Sequence, residues 1–164
     1  MKHKYCPHCG SFLSKRETGD EGLVPYCEKC EKFVFDSAEP CIIALIVNEL
    51  NEVCVIKQSY GRDIPVLVAG YIKLGATAEE TILAEVKEEI GHDVLSYQYV
   101  NSYFHQKSEA LMLGYLVHVN KQEFELSTEL NEAHWVSIEE AGILLKDATT
   151  AIKLYNDCKK KGLI

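Results

Sequence analysis

Apolar residues change their spacing several times along this chain, and each change predicts an element. Cys41-Ile42-Ile43-Ala44-Leu45-Ile46-Val47 is a continuous, β-branched-rich run, which predicts a strand covered on both faces. Residues 53–57 read as its hairpin partner across the polar stretch 48–52, and residues 65–69 as a further short strand that ends at Gly70. From there the period becomes helical. Thr77-x-x-Glu80 forms a capping box, Ile82, Leu83, Val86 and Ile90 form the buried stripe, and Gly91 is placed to stop the helix. Residues 94–104 and 110–119 predict two more strands joined by 105–109, and a last strand falls around His134-Trp135-Val136, ahead of a second capping pattern, Ser137-x-x-Glu140. Leu144, Leu145, Ile152 and Leu154 mark a final helical region with a break near 147–150. Strands mixed with a few helices, without repeated βα units, predict an α/β fold with a mixed sheet flanked by helices.

The first 36 residues do not fit that plan. Cys6-Pro7-His8-Cys9 and Cys27-Glu28-Lys29-Cys30 are two C-x-x-C pairs separated by residues 10–26, the spacing of a tetrahedral zinc site made of four thiolates. Four thiolates close the coordination sphere, so such a zinc holds a fold rather than doing chemistry. Pro40 follows the polar stretch 36–39, and a boundary there divides the chain into a zinc ribbon at 1–36 and a larger domain at 37–164. The other cysteines, Cys41, Cys54 and Cys158, lie among apolar neighbours, and the odd total of seven argues against a disulfide framework. A reducing cytoplasmic setting is the expectation, with no apolar leader at the start and no apolar run long enough to span a bilayer. The net charge of −8 disfavours non-specific binding to nucleic acid. It also means that an anionic substrate would need bridging cations.

Glu85, Glu88 and Glu89 are the candidate chemistry. They fall at i, i+3 and i+4 on the predicted helix, beside its buried stripe, so three carboxylates crowd one flank. Mutual repulsion raises carboxylate pKa values, whereas hard divalent ions turn the same arrangement into a ligand set. The plain alternative is a solvated acidic face.

Residues 70–92 resemble the Nudix box, Gly-x5-Glu-x7-Arg-Glu-U-x-Glu-Glu-x-Gly-U, in which U is bulky and apolar. Gly70, Glu85-Val86-Lys87-Glu88-Glu89 and Gly91 match; Ala76 stands for the box Glu, Ala84 for its Arg and His92 for the last U. The resemblance implies a Nudix α/β/α sandwich that hydrolyses a nucleoside diphosphate linked to another moiety with Mg²⁺ or Mn²⁺. By position, Glu85, Glu89 and the main-chain carbonyl of Ala69 would be metal ligands. Glu88 would ligate through water or take part in activating it. A further acid would come from Glu132, in Glu129-Leu130-Asn131-Glu132-Ala133-His134-Trp135.

A zinc ribbon followed by Pro40-Cys41-Ile42-Ile43-Ala44 is similar to one branch, the NADH pyrophosphatases. That likeness implies a nucleotide or dinucleotide substrate of NADH, NAD or ADP-ribose type, and a homodimer. It places Phe35 where the branch has a base-contacting Tyr, Ser102 at the first serine of a substrate motif, and Ala151 beside the substrate. His105 and Lys107, in the hairpin loop, are candidates for phosphate contact. His92 reads as a cationic residue favoured at the helix end. Loss of both box alanine positions' charges removes a possible ion pair together, which predicts weakened orientation of the ligands rather than a stranded charge. The alternative function is a catalytically silent Nudix module that binds a nucleotide as sensor or scaffold.

Overall fold

The structure is a computed structural model describing residues 3–61 and 63–164. Met1, Lys2 and Arg62 lie outside the described residues, and with the first two so does the very start of the stretch read as leaderless. The chain divides into two compact units, Met1–Ala38 and Glu39–Ile164.

The first unit contains β1 (Ser14–Glu17), β2 (Leu23–Cys27) and β3 (Lys32–Phe33) in an antiparallel sheet of order β1-β2-β3. Its buried cluster is Cys6, Leu13, Cys27 and Val34, with Cys9 and Cys30 packed against it. So little apolar burial cannot offset the entropy of ordering the chain, and a module of this size depends on a cross-link or a metal.

The second unit runs β4 (Glu39–Val47), β5 (Glu52–Gln58), β6 (Val68–Tyr71), α1 (Ala78–Ile90), β7 (Val94–His105), β8 (Ala110–Val119), β9 (Leu130–Ser137), α2 (Ile138–Leu144) and α3 (Thr149–Lys160). The sheet order is β7-β8-β4-β5-β9, with β6 also pairing with β4. β4 and β8 are parallel, from Glu39↔Ala110 to Val47↔His118, while the remaining pairings are antiparallel. Side chains along β4 alternate between two cores. Ile42, Ala44 and Ile46 pack with Ile82, Val86 and Ile90 of α1, while Ile43, Leu45 and Val47 pack with Leu145, Leu154 and Cys158 from the last helices. This two-sided cover explains the unbroken apolar run of β4 and gives the α/β/α sandwich with a mixed sheet.

Both caps of α1 form as the pattern requires. The Thr77 hydroxyl accepts from the Glu80 amide at 3.1 Å, the Glu80 carboxylate accepts from the Thr77 amide at 2.9 Å, and Gly91 takes the left-handed conformation (φ 77°). Three local expectations change. Leu83 is 45% exposed, because the stripe 82-86-90 is flanked on its buried side by Thr81 and Glu89 and Leu83 turns to solvent. The strand expected at 65–69 begins at Val68 and runs through Gly70 to Tyr71; upstream of it only Val66 bridges to Ile56, next to Pro65, which has no amide to donate. His92 is not exposed at the helix end: it is fully buried, its Nδ1 lies 2.7 Å from the Ile90 carbonyl, and its ring lies 5.3 Å from Phe124 and 5.6 Å from Trp135. Among the described residues no helix is long and apolar enough to cross a membrane.

Candidate active site and metal centres

In the first unit, Cys6, Cys9, Cys27 and Cys30 bring their sulfurs within 4.8 Å of one another. Cys9 and Cys27 stand 3.5 Å apart, and Cys6 and Cys30 4.0 Å. A tetrahedron with Zn–S bonds of about 2.3 Å has edges of about 3.8 Å. These two separations bracket that edge, and the four-thiol donor set fits zinc. Its thiols compete for charge: hydrogen bonds from Ser11 draw Cys9 down to about 6, while the neighbouring Cys9 sulfur, followed by burial, pushes Cys30 up to about 12. A dication removes that competition.

The second unit holds a cavity of about 770 Å³. Its floor is the α1 flank. Glu89 is only 6% exposed, and its Oε2 is buried with no hydrogen-bond partner. Burial above all, then the charges of Glu85, Glu129 and Glu88, raises its pKa from the ordinary 4.5 to about 8. Glu85 is half-buried and also raised, first by burial and then by Glu88, with Lys73 opposing. Glu88 is exposed at the cavity wall. Gly70 of β6 lies directly under Glu85: a Cβ there would stand 2.2 Å from the Glu85 Cδ and 2.3 Å from its Oε1. The first glycine of the pattern is thus a close-approach position, and it lets the carboxylate lie flat on the strand.

Several expected residues meet in this cavity. Ala69, Glu85, Glu88, Glu89, His105, Lys107 and Ala151 all line it. Phe35 belongs to the first unit, where it is exposed and its ring centroid lies 6.2 Å from that of Phe33. Two residues of the second unit do not join the cavity. Ser102 sits on β7 opposite Leu113, outside the lining, and its amide donates to the Asn101 side chain. Glu132 pairs with Lys57 across β9 and β5 at 3.5 Å and contacts His134 on its own strand at 3.2 Å, so its carboxylate is drawn to a surface ion pair.

Glu129, three residues earlier, lines the cavity instead. The pairing of β5 with β9 slips between Lys57 and Gln58: Lys57 faces Glu132 and Gln58 faces Leu130, so β9 carries Asn131 as an extra residue just after Glu129 and Leu130. Tyr60 and Lys73 were likewise not foreseen, and both line the cavity. The only advance signal for Glu129 was the pair of acids in Glu129-Leu130-Asn131-Glu132, and choosing between them needed the strand register.

An oxygen-only donor set of Glu85, Glu89 and Glu129, with one buried and unpartnered carboxylate oxygen, suits a hard divalent cation. Among the described residues only the four thiols already bring three or more ligand atoms within 4.8 Å, so the glutamate oxygens are spaced more widely than the sulfurs.

A helix of spaced glutamates held against a glycine of a central strand, within an α/β/α domain, defines the class, and the chain belongs to the NUDIX domain family, whose model matches residues 38–158. Among curated relatives it is similar to the NAD-capped RNA hydrolase NudC of Escherichia coli O1:K1 / APEC, at 28% identity over 156 residues, covering 94% of this chain and 60% of that one. NudC of Escherichia coli strain SMS-3-5 / SECEC matches at 27% identity with the same coverage. The chain thus spans about 60% of the length of these relatives. Among solved structures, a NUDIX hydrolase from Nitrosomonas europaea superposes with a TM-score of 0.69 at 20% identity, covering 84% of this chain and 80% of that one. The NUDIX domain of Shewanella oneidensis NrtR complexed with ADP ribose superposes with a TM-score of 0.65 at 11% identity, covering 83% and 93%. These likenesses establish the shared fold.

Proposed function

We propose that the second unit is a metal-dependent pyrophosphohydrolase cleaving a nucleoside diphosphate joined to another moiety, of NADH, NAD or ADP-ribose type. The observation that carries this reading is the buried, unpartnered Oε2 of Glu89 on the floor of a cavity that Lys73 and Lys107 also line. An unpaired carboxylate in that position is costly by itself and becomes favourable beside a cation. Mg²⁺ or Mn²⁺ held there supplies charge neutralisation for a diphosphate and a bound water of lowered pKa.

The chain's own residues do the rest. Glu85, Glu89 and Glu129, with the Ala69 carbonyl, hold the cation; Glu88, exposed at the wall, is free to take a proton from water at its carboxylate. Lys73, Lys107 and His105 offer positive charge or N–H donors to phosphate oxygens, and the His105 ring is set by a 2.7 Å contact between its Nδ1 and the Ser108 hydroxyl. The zinc-ribbon thiols take Zn²⁺ in a structural role. NudC relatives act on NAD-capped RNA by name, and the NrtR domain binds ADP ribose, which supports a dinucleotide-like ligand. Homodimer formation is part of the same reading.

Ala84, where the box carries arginine, is exposed and favours a second reading, nucleotide binding without turnover. Lys73 weighs against it, since its charge already reaches Glu85. The test is incubation with Mg²⁺ or Mn²⁺ and NADH, NAD⁺, ADP-ribose, FAD, nucleotide sugars and NTPs, with Glu89→Gln as control. Turnover that vanishes in the control is expected. No turnover with any of them, while a nucleotide still raises Tm, selects the sensor.

A further inference from the structure

Tyr60 stands on the loop between β5 and β6, 55% exposed, with its ring on the cavity wall. The loop is tied to the start of β9 by the main chain: the Ser59 amide donates to the Glu129 carbonyl at 2.8 Å, and the Ser59 hydroxyl to the Thr128 carbonyl at 3.3 Å. Side chains continue the connection. Gln58 Nε2 donates to the Tyr60 hydroxyl at 3.2 Å, and that hydroxyl donates to Glu129 Oε2 at 3.4 Å. The direction is fixed at each end, because an amide nitrogen can only donate and a carboxylate can only accept. Among the described residues the phenol is the one side chain hydrogen-bonded to the Glu129 carboxylate.

A glutamate just ahead of a strand, facing Glu85 and Glu89 across an acidic cavity, would swing towards solvent if nothing held it. Repulsion from its neighbours drives it that way, and its side-chain entropy favours the same outcome.

We propose that Tyr60 is a positioning residue that holds the Glu129 carboxylate towards Glu85 and Glu89, so that a divalent cation meets a preset ligand group. It acts through Glu129 and touches no reacting atom. The inference rests on the metal-binding reading of the cavity and adds a residue to it.

The test is Mn²⁺ binding to the full chain, followed by calorimetry and by the electron paramagnetic resonance signal of free Mn²⁺, which needs no turnover. Tyr60→Phe removes one oxygen from a half-exposed ring and should leave the metal-free Tm in place. It should raise the Mn²⁺ Kd about tenfold, the low end of what loss of a ligand-orienting partner costs. Glu129→Gln should weaken binding at least as much, and Tyr60→Phe added to Glu129→Gln should change nothing further, since the two act as one unit. A Tyr60→Phe Kd within twofold of wild type, with Glu129→Gln impaired, overturns the role of Tyr60 and leaves the metal site standing. Additive losses in the double variant also overturn it. Wild-type protein that binds no Mn²⁺, or binding untouched by Glu89→Gln, brings down the metal site and the role of Tyr60 together.

Discussion

Glu89→Gln tests the electrostatics of the cavity without any substrate. In the folded protein Glu89 titrates near 8 rather than at its ordinary 4.5, with burial as the main cause and Glu85, Glu129 and Glu88 adding to it. The folded state therefore keeps a proton between those two values that the unfolded chain has released. Stability must fall as pH rises through this window, because the native state binds more protons there. Each pKa unit corresponds to about 1.4 kcal/mol, so the whole window amounts to at most about 5 kcal/mol. Glutamine keeps the shape and has no proton to lose. Urea denaturation in magnesium-free buffer, from pH 5 to 9, should show wild type losing several kcal/mol while Glu89→Gln stays nearly flat, with a small residual slope from Glu85, which is raised for the same reason. Trp135, the sole tryptophan, packs beside His92 in the second unit, so its fluorescence follows that unit alone. Excess Mg²⁺ at pH 8.5 should recover wild type by about 2.7 kcal/mol at a hundred times Kd and leave the variant unmoved. Parallel wild-type and variant curves across pH 5 to 9 would refute the reasoning.

Gly70→Ala should cripple metal binding, because the new methyl meets the Glu85 carboxyl carbon at 2.2 Å and forces it off the strand; a Mn²⁺ titration that matches wild type would refute this. Cys27→Ser should release about one mole of zinc per chain and, in a nitrogen–proton correlation spectrum, collapse the signals of residues 3–38. Zinc content equal to wild type would remove the metal from this cluster.

Much of the layered domain was legible because its periodicities are strong. The unbroken run of β4, the capping box at Thr77 and the glycine at 91 each have one physical reading, and each agrees with its neighbours. The zinc ligands were legible for a similar reason: the repeated spacing itself encodes a tetrahedron. The parts that escaped depend on register. Glu129 and Glu132 are indistinguishable as acids, and only the strand pairing, which sets Glu132 opposite Lys57 while Glu129 lines the cavity, separates them. Leu83 was misplaced because a helical stripe leaves the choice of flank to whatever packs against it, and the buried flank here carries Glu89. His92 looked like a terminal cation because its sequence neighbours are helix-end residues, whereas its companions in space, Phe124 and Trp135, come from much later in the chain.

The parallel pairing of β4 with β8 carries a consequence for biogenesis. During synthesis the most apolar strand of the molecule emerges long before its partner, since Val47 aligns with His118. Until the ribosome has passed that point, a charge-free stretch from Cys41 to Val47 has one edge unsatisfied, the sort of segment that seeks strands on other nascent chains. Slower translation between β5 and β8 should therefore lower soluble yield, and chaperone supply during that interval should raise it.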